Sequence, residues 1–454
     1  MNPELLRNIW IELTERRLTL MVIIVACILV VAISPGDWMS AAHTAELVFY
    51  AVVVLWGTRC AAQSVVEEIG NKTWDGQRLS AIRPWTMVWG KLVGSTILAW
   101  IGGLLCLVVI LYQAYRIGGV DNLAMQAGYF LAIGIISQAA ALLASVVAVR
   151  RRMSHTRFDV FLYQLAGLIA ALMVWRVWQT VDPTSLFRSF TGGVDPFTVS
   201  TVWWWGGSFD PGTFYLASLA VFLFWVILGN YRVMRRELQV QNGPAVWLVF
   251  LVFVAAYAGG FDFWRDYIRD GAFMTGMRAV QGGIALIFVT YVMALVEPKE
   301  IVAYRWLIER FKARQFISLL ARFPAWGYAY LAVVVLGVLA IVMLPWSVAE
   351  RANVYGGPMI VLAALGFVLR DCAVFMAMGL GQVGKRSDIA ALAILALLYG
   401  FIPGMFSQVE GATAFFYPSE HDPSWLNPLA AWAQALIGWY LILRRPDLRR
   451  RPQS

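Results

Sequence analysis

The chain is 454 residues long, 60% hydrophobic and 14% charged, with 21 tryptophans and a mean hydropathy of +0.68. An ordinary water-soluble domain, about half apolar and about a quarter charged, is excluded. The net charge of +9 would suit nucleic acid by sign alone, but the bases are placed by topology, so no nucleic-acid partner is expected. The N-terminal stretch MNPELLRNIWIELTERR predicts a helix with Asn2 as N-cap and Pro3 in the first turn. Leu5, Leu6, Ile9, Trp10 and Leu13 share one face and Arg7, Asn8, Glu12, Glu15 and Arg16 the other, which gives an interfacial amphipathic helix over 1–17. The apolar run 18–33 contains Ile24-Val25-Ala26-Cys27, similar to a lipoprotein cleavage box. Cys27 is followed by Ile-Leu-Val-Val-Ala-Ile rather than a polar start, so the run reads as a retained first span. Further spans are predicted at 45–62, 89–112, 125–149, 158–180, 213–231, 244–260, 274–295, 327–346, 358–380, 387–405 and 428–443.

This makes an all-α polytopic membrane protein of about twelve spans, divisible into halves at 18–236 and 237–454. Lys and Arg resist translocation. With the N-terminus inside, cytoplasmic segments hold 28 of the 36 bases. Only Arg116, Arg188, Arg265, Arg269 and Arg351 fall outside, facing acids that include Asp182, Asp195, Asp210, Asp262, Asp266, Asp270, Glu410, Glu420 and Asp422. Both termini are therefore expected in the cytoplasm, in a bacterial inner membrane. Cys27, Cys60, Cys106 and Cys372 lie singly in apolar runs without CxxC spacing, and no disulfide is expected.

Between the second and third spans lies QSVVEEIGNKTWDGQRLSAIRPWTMVWGK. It is far longer than the connection of about 2–8 residues common between packed helices, so a short surface helix is expected within 67–84. It reads Glu67-Glu68, Thr73-Trp74-Asp75, Leu79-Ser80-Ala81-Ile82 and Gly90-Lys91, with Gly94 one turn later. In these elements and their spacing it resembles the membrane subunits of type-2 ABC transporters, mostly exporters. That family has an amphipathic start, an acidic pair, a Thr-Trp-Asp-like coupling helix and a Gly-Lys opening the next span. Ala81 stands where the family often has proline, and typical members have about six spans. The resemblance implies that Glu67, Glu68, Thr73, Trp74, Asp75, Arg78 and Leu79 dock a cognate ATP-binding subunit. It also implies that Gly90 and Lys91 open the next span. The sequence leaves open whether one chain supplies the pathway or a second permease chain, identical or not, pairs with it. The alternatives are a secondary active transporter, or a membrane-embedded transferase acting on lipid-linked substrates.

The second half carries its own long cytoplasmic segment at 297–326. It lacks the Thr-Trp-Asp and Gly-Lys elements, and reads as a second docking helix or as a basic amphipathic segment drawn to anionic membrane lipids. A P-loop-like stretch from Gly379 to Lys385 has Arg386 in place of the Ser/Thr that would hold magnesium and follows an apolar helix rather than a strand. ATP and Mg are therefore expected on the partner, with no cofactor or catalytic group on this chain. His43, His155 and His421 fall in different loops and suggest no metal site. Asp182, Asp195 and Asp210 each precede proline, as turn initiators do. Trp203-Trp204-Trp205 reads as interfacial anchoring.

Arg370 and Asp371 fall mid-span, where an ionisable group costs at least ~2.5 kcal/mol unless paired or wet. They are expected to face the bundle interior. Because neighbouring helical positions point about 100° apart, they are not expected simply to neutralise one another.

Overall fold

In a bilayer every backbone polar group must be satisfied internally, so long apolar runs have little choice but helix. Among the described residues the computed structural model is all-α apart from one short hairpin. It describes the chain except residues 1, 81, 151–156, 182–200, 241, 264–270, 345–356, 381–384, 407–408, 410, 419–424 and 450–454. Ala81, His155, Asp182, Asp195, Arg188, Arg265, Arg269, Asp266, Asp270, Arg351, Glu410, Glu420, His421, Asp422 and the glycine-rich stretch 381–384 thus lie outside the described residues. Among the described residues ten helices are long and apolar enough to cross a membrane, which makes this a multi-pass membrane protein. Two compact units divide it: Met1–Val202 with Ser208–Asn242, and Trp203–Gly207 with Gly243–Ser454.

The first unit begins with α1 (Pro3–Glu12) and α2 (Glu15–Ile33). Asn2 caps α1 as expected, its Oδ1 accepting from the Glu4 and Leu5 N–H groups at 3.1 Å. Next, α3 (Trp38–Phe49) passes through a π-helical stretch, Tyr50–Trp56, into α4 (Gly57–Gly70). The widened turn rearranges the backbone ladder, and buried amides from other helices take the carbonyls. Gln138 donates to Val53 O at 3.0 Å and Gln164 to Leu55 O at 2.8 Å. After α5 (Trp74–Leu79) and α6 (Pro84–Gly94) come α7 (Ile97–Arg150), α8 (Arg157–Val181) and α9 (Pro211–Glu237). Around the π stretch packs an aromatic core in which Tyr129 stacks on Trp178 at 4.3 Å and shares a 2.8 Å hydrogen bond with Tyr50.

The sequence places a loop between residues 112 and 125, yet α7 is helical almost throughout. It breaks only at Gly118 and Gly119, the latter at φ +67° and ψ −150°, a conformation open to glycine and little else. Asn122 then donates to the freed Ala114 carbonyl at 3.0 Å. Two glycines do what a loop was expected to do.

The second unit holds α10 (Ala245–Gly259), α11 (Gly271–Val296), α12 (Ile301–Lys312), α13 (Phe316–Ala321), α14 (Ala325–Met343) and α15 (Pro358–Gly379). It continues through α16 (Lys385–Ala396), a π-helical turn (Leu397–Phe401), α17 (Ile402–Met405), α18 (Leu426–Leu443) and α19 (Pro446–Arg449). At 15 residues α10 spans only about 22 Å, short of a hydrocarbon core of about 30 Å. The tryptophan run explains how it ends. The indoles of Trp204 and Trp205 donate to the Tyr257 and Ala256 carbonyls at 3.2 and 3.1 Å, supplying partners that the last turn of a helix lacks. The residues read as interfacial anchors are, in part, helix caps.

Candidate coupling site and intramembrane polar site

The acidic pair at the end of α4 splits by helical phase. Glu67 points to solvent, whereas Glu68 is buried and collects partners from three other helices. Gln77 of α5 donates to its Oε1 at 2.8 Å. Arg7 of α1 donates to the same oxygen at 2.8 Å, and Lys91 of α6 pairs with Oε2. Lys91, with 0% of its surface exposed, also lies 3.4 Å from Glu4 of α1 and 5.2 Å from the centre of the Trp74 ring. Four charges therefore alternate in sign as Glu4, Arg7, Glu68 and Lys91, with Arg7 exposed at the edge and the other three buried. Each has an opposite charge within reach, the arrangement in which burial of ions is tolerable. Burial alone would lower the pKa of Arg7, but its hydrogen bond to Glu68 and the charges of Glu4 and Glu68 outweigh that and raise it.

What brings α1 to this cluster is a pair of glycines one turn apart on α6. A Cβ on Gly90 would stand 2.5 Å from Glu4 Cγ, and one on Gly94 would stand 2.6 Å from Asn8 Cβ. The absence of side chains lets the helices meet backbone to backbone, as small residues do in membrane helix packing. Asn2 Nδ2 donates to Thr86 O at 2.8 Å and Asn8 Nδ2 to Gly90 O at 3.1 Å. Helix α1 is thus packed on α6. Gly90 and Lys91 lie on this separate helix, ahead of the span they are expected to open. The Ser95 and Thr96 hydroxyls donate to the Lys91 and Leu92 carbonyls, both at 2.6 Å, side-chain bonds of the kind that bend helices, and α7 starts at Ile97.

Helix α5 presents two faces. Trp74 turns inward and is buried, while Thr73, Asp75 and Leu79 are exposed, Leu79 at 89%. Thr73 bonds backward to Glu68 O through both its N–H (2.9 Å) and its hydroxyl (3.2 Å), closing the end of α4. Arg78 is half-buried, donates to Glu237 O at the end of α9 at 3.2 Å, and lies 3.5 Å from Asp75. Of the seven residues predicted to dock a partner, Glu67, Thr73, Asp75 and Leu79 are at the surface and Arg78 is half at it. Glu68 and Trp74 instead hold the helix in place. Sequence reasoning missed Glu4, Arg7 and Gln77 as members of this cluster. The only signal was an acid and a base on the polar face of α1, which reads equally well as solvation.

In the second unit Arg370 and Asp371 are both buried on α15, and they do pair. Arg370 folds its long side chain back so that Nε donates to Asp371 Oδ1 at 2.9 Å. The 100° separation fixes the direction of the Cβ atoms and not of a guanidinium four bonds further out, so the expectation that these residues do not neutralise one another fails. Tyr291 and Tyr399 donate to Asp371 Oδ2 at 2.7 and 2.5 Å, and Arg370 Nη1 reaches Phe416 O and Gln434 Oε1, both at 3.1 Å. Tyr399 stands on the π-helical turn, a feature frequent at functional sites. Among the described residues no group of histidine, cysteine and carboxylate side chains could hold a metal ion. No protein-family model, curated protein or solved structure matches the chain.

Proposed function

We propose that this chain is the membrane-spanning permease subunit of an ABC transporter, working as an exporter and driven by ATP hydrolysis in a separate subunit. One observation carries the reading: Glu68, at the end of a long span, is bonded at once to α5, α6 and α1. A partner pressing on the exposed edge of α5 would move three helices and the end of a span together. That is what a coupling element has to do, and a solvated loop would not be built this way. The order of Thr73, Trp74 and Asp75 after an acidic pair supports the same reading by resemblance.

In this reading the chain makes twelve crossings, with α7 counting twice because of Gly118-Gly119 and α10 completing a crossing through its flanks. Both termini lie on the basic, cytoplasmic side of a bacterial inner membrane. The test is to isolate the full chain from its native membrane and look for an ATP-binding cassette subunit by mass spectrometry. Asp75→Arg and Leu79→Arg, which change only exposed side chains, should release it. A complex that survives both substitutions would refute the assignment of α5.

The buried Arg370–Asp371 pair favours a second reading, an ion-coupled carrier, since membrane-embedded ionisable groups often mark ion paths. That reading requires transport by the purified chain, without ATP, that collapses with the ion gradient.

A further inference from the structure

The segment between spans α11 and α14 is a helical hairpin. Helix α12 reverses into α13 through Arg314, at φ +58°. Around that tip Phe311, Phe316, Ile317 and Leu320 are all exposed, Ile317 at 89%, and the rings of Phe311 and Phe316 pack edge to face at 6.2 Å. One exposed apolar residue needs no explanation, but a contiguous patch calls for a cover.

Charge and position indicate which cover. Arg310, Lys312, Arg314 and Arg322 surround the patch, and no acid occurs between Glu309 and Glu350. The guanidinium groups of Arg310 and Arg322 lie 5.2 and 5.0 Å from the centre of the Trp306 ring. Two of the four cations are thus held on the hairpin by cation–π contact. Only residues 322–324 separate α13 from α14. Tyr328, in the first turn of α14, donates its hydroxyl to Leu320 O and packs against Phe323 at 5.3 Å. Helix α13 is therefore pinned at the level where the next span enters the bilayer, within reach of headgroups.

We infer that the α12–α13 tip is an anchor for anionic phospholipid, with Phe316, Ile317 and Leu320 seated at the acyl boundary and the four cations facing headgroup phosphates. Apolar insertion combined with a basic cluster is the two-signal arrangement by which peripheral segments hold a charged leaflet. The inference is independent of the proposed transport function, since it uses no residue of α1 to α6.

The experiment uses the full-length chain, with its four cysteines replaced by alanine and Ile317→Cys carrying a spin label. A second sample labelled through Leu79→Cys serves as the water-exposed reference. Both are placed in nanodiscs of phosphatidylcholine alone or with phosphatidylglycerol added, and accessibility to a water-soluble nickel chelate is compared with accessibility to oxygen. With phosphatidylglycerol the label at 317 should lose nickel access and gain oxygen access, while the reference stays in water. Lys312→Gln and Arg314→Gln, both exposed and expected to fold normally, should each lower the docked-to-undocked ratio about fivefold, from roughly one interaction of ~1 kcal/mol per base. Equal nickel access at 317 in both lipid compositions would overturn the inference. So would protection that appears only when a cytosolic protein partner is added, since the tip would then be a protein dock.

Discussion

Lys91 on α6 pairs with Glu68 at the end of α4, 23 residues earlier, and the Lys91 side chain is closed to solvent. The cost of burying such ions is met only while every member is present. Lys91→Met is therefore expected to destabilise the protein by about 3–5 kcal/mol, because it leaves Glu68 short of its closest cation. The double variant Lys91→Met with Glu68→Gln should recover most of the loss, since Glu4 and Arg7 still face each other at 3.3 Å. Denaturation of the purified protein in detergent, followed by tryptophan fluorescence, measures both. Equal instability of the single and double variants would show that the pairing is not what is lost.

The close approach of α1 to α6 makes a separate prediction. Gly90→Ala and Gly94→Ala each push a methyl group into α1, an overpacking that costs about 1–3 kcal/mol. The strain falls on α1, so the expected result is selective release of the N-terminal helix. Limited proteolysis should cut before residue 15 in both variants, with the spans intact. Gly76→Ala, where a Cβ meets nothing within 4 Å, is the control and should leave the cleavage pattern unchanged.

These expectations follow from contacts that the sequence shows only in part. Most of the spans, the Asn2 cap and the short helix after the acidic pair were legible because each is local: a hydropathy run, a capping residue, a polar segment too long for a turn. The partition of α5 into a buried Trp74 and an exposed Leu79 was not, since six residues carry too little periodicity to define a face. Nor was the charge cluster, because Arg7 and Glu68 lie 61 residues apart, and pairing over that distance depends on how the helices pack. Arg370 and Asp371 were misjudged for a different reason. A helical wheel treats side chains as radial vectors, which holds for Asp but not for a guanidinium on a long flexible stem.

A caps-based prediction concerns α10. Trp204→Phe keeps an aromatic ring but removes the N–H that reaches Tyr257 O together with the five-membered part of the indole, so the expected loss is at least the ~1 kcal/mol of one hydrogen bond. Arg278→Leu should cost more, because Arg278 pairs with buried Asp262 at 2.6 Å and its removal strands that carboxylate. Thermal unfolding in matched detergent compares the two. If Trp204→Phe proved as damaging as Arg278→Leu, the indole would be doing more than capping.

The pair on α15 gives the sharpest division between structure and transport. Arg370→Leu leaves Asp371 with two tyrosine hydroxyls and no cation, so it should be the more destabilising single change, by about 3–5 kcal/mol. Asp371→Asn leaves Arg370 with the Phe416 and Gln434 oxygens and retains a side-chain carbonyl for the Arg370 guanidinium or the two tyrosines, so it should cost less. Replacing both by leucine removes the buried charges together and is expected to approach the stability of the parent chain. A purely structural pair would therefore be dispensable in the double variant, whereas a pair on the transport path would not. On the transport function proposed above, the double variant is expected to fold, insert and bind the proposed ATP-binding subunit while losing transport in reconstituted vesicles. Full transport by that variant would show that Arg370 and Asp371 only hold α15 against the π-helical turn that carries Tyr399.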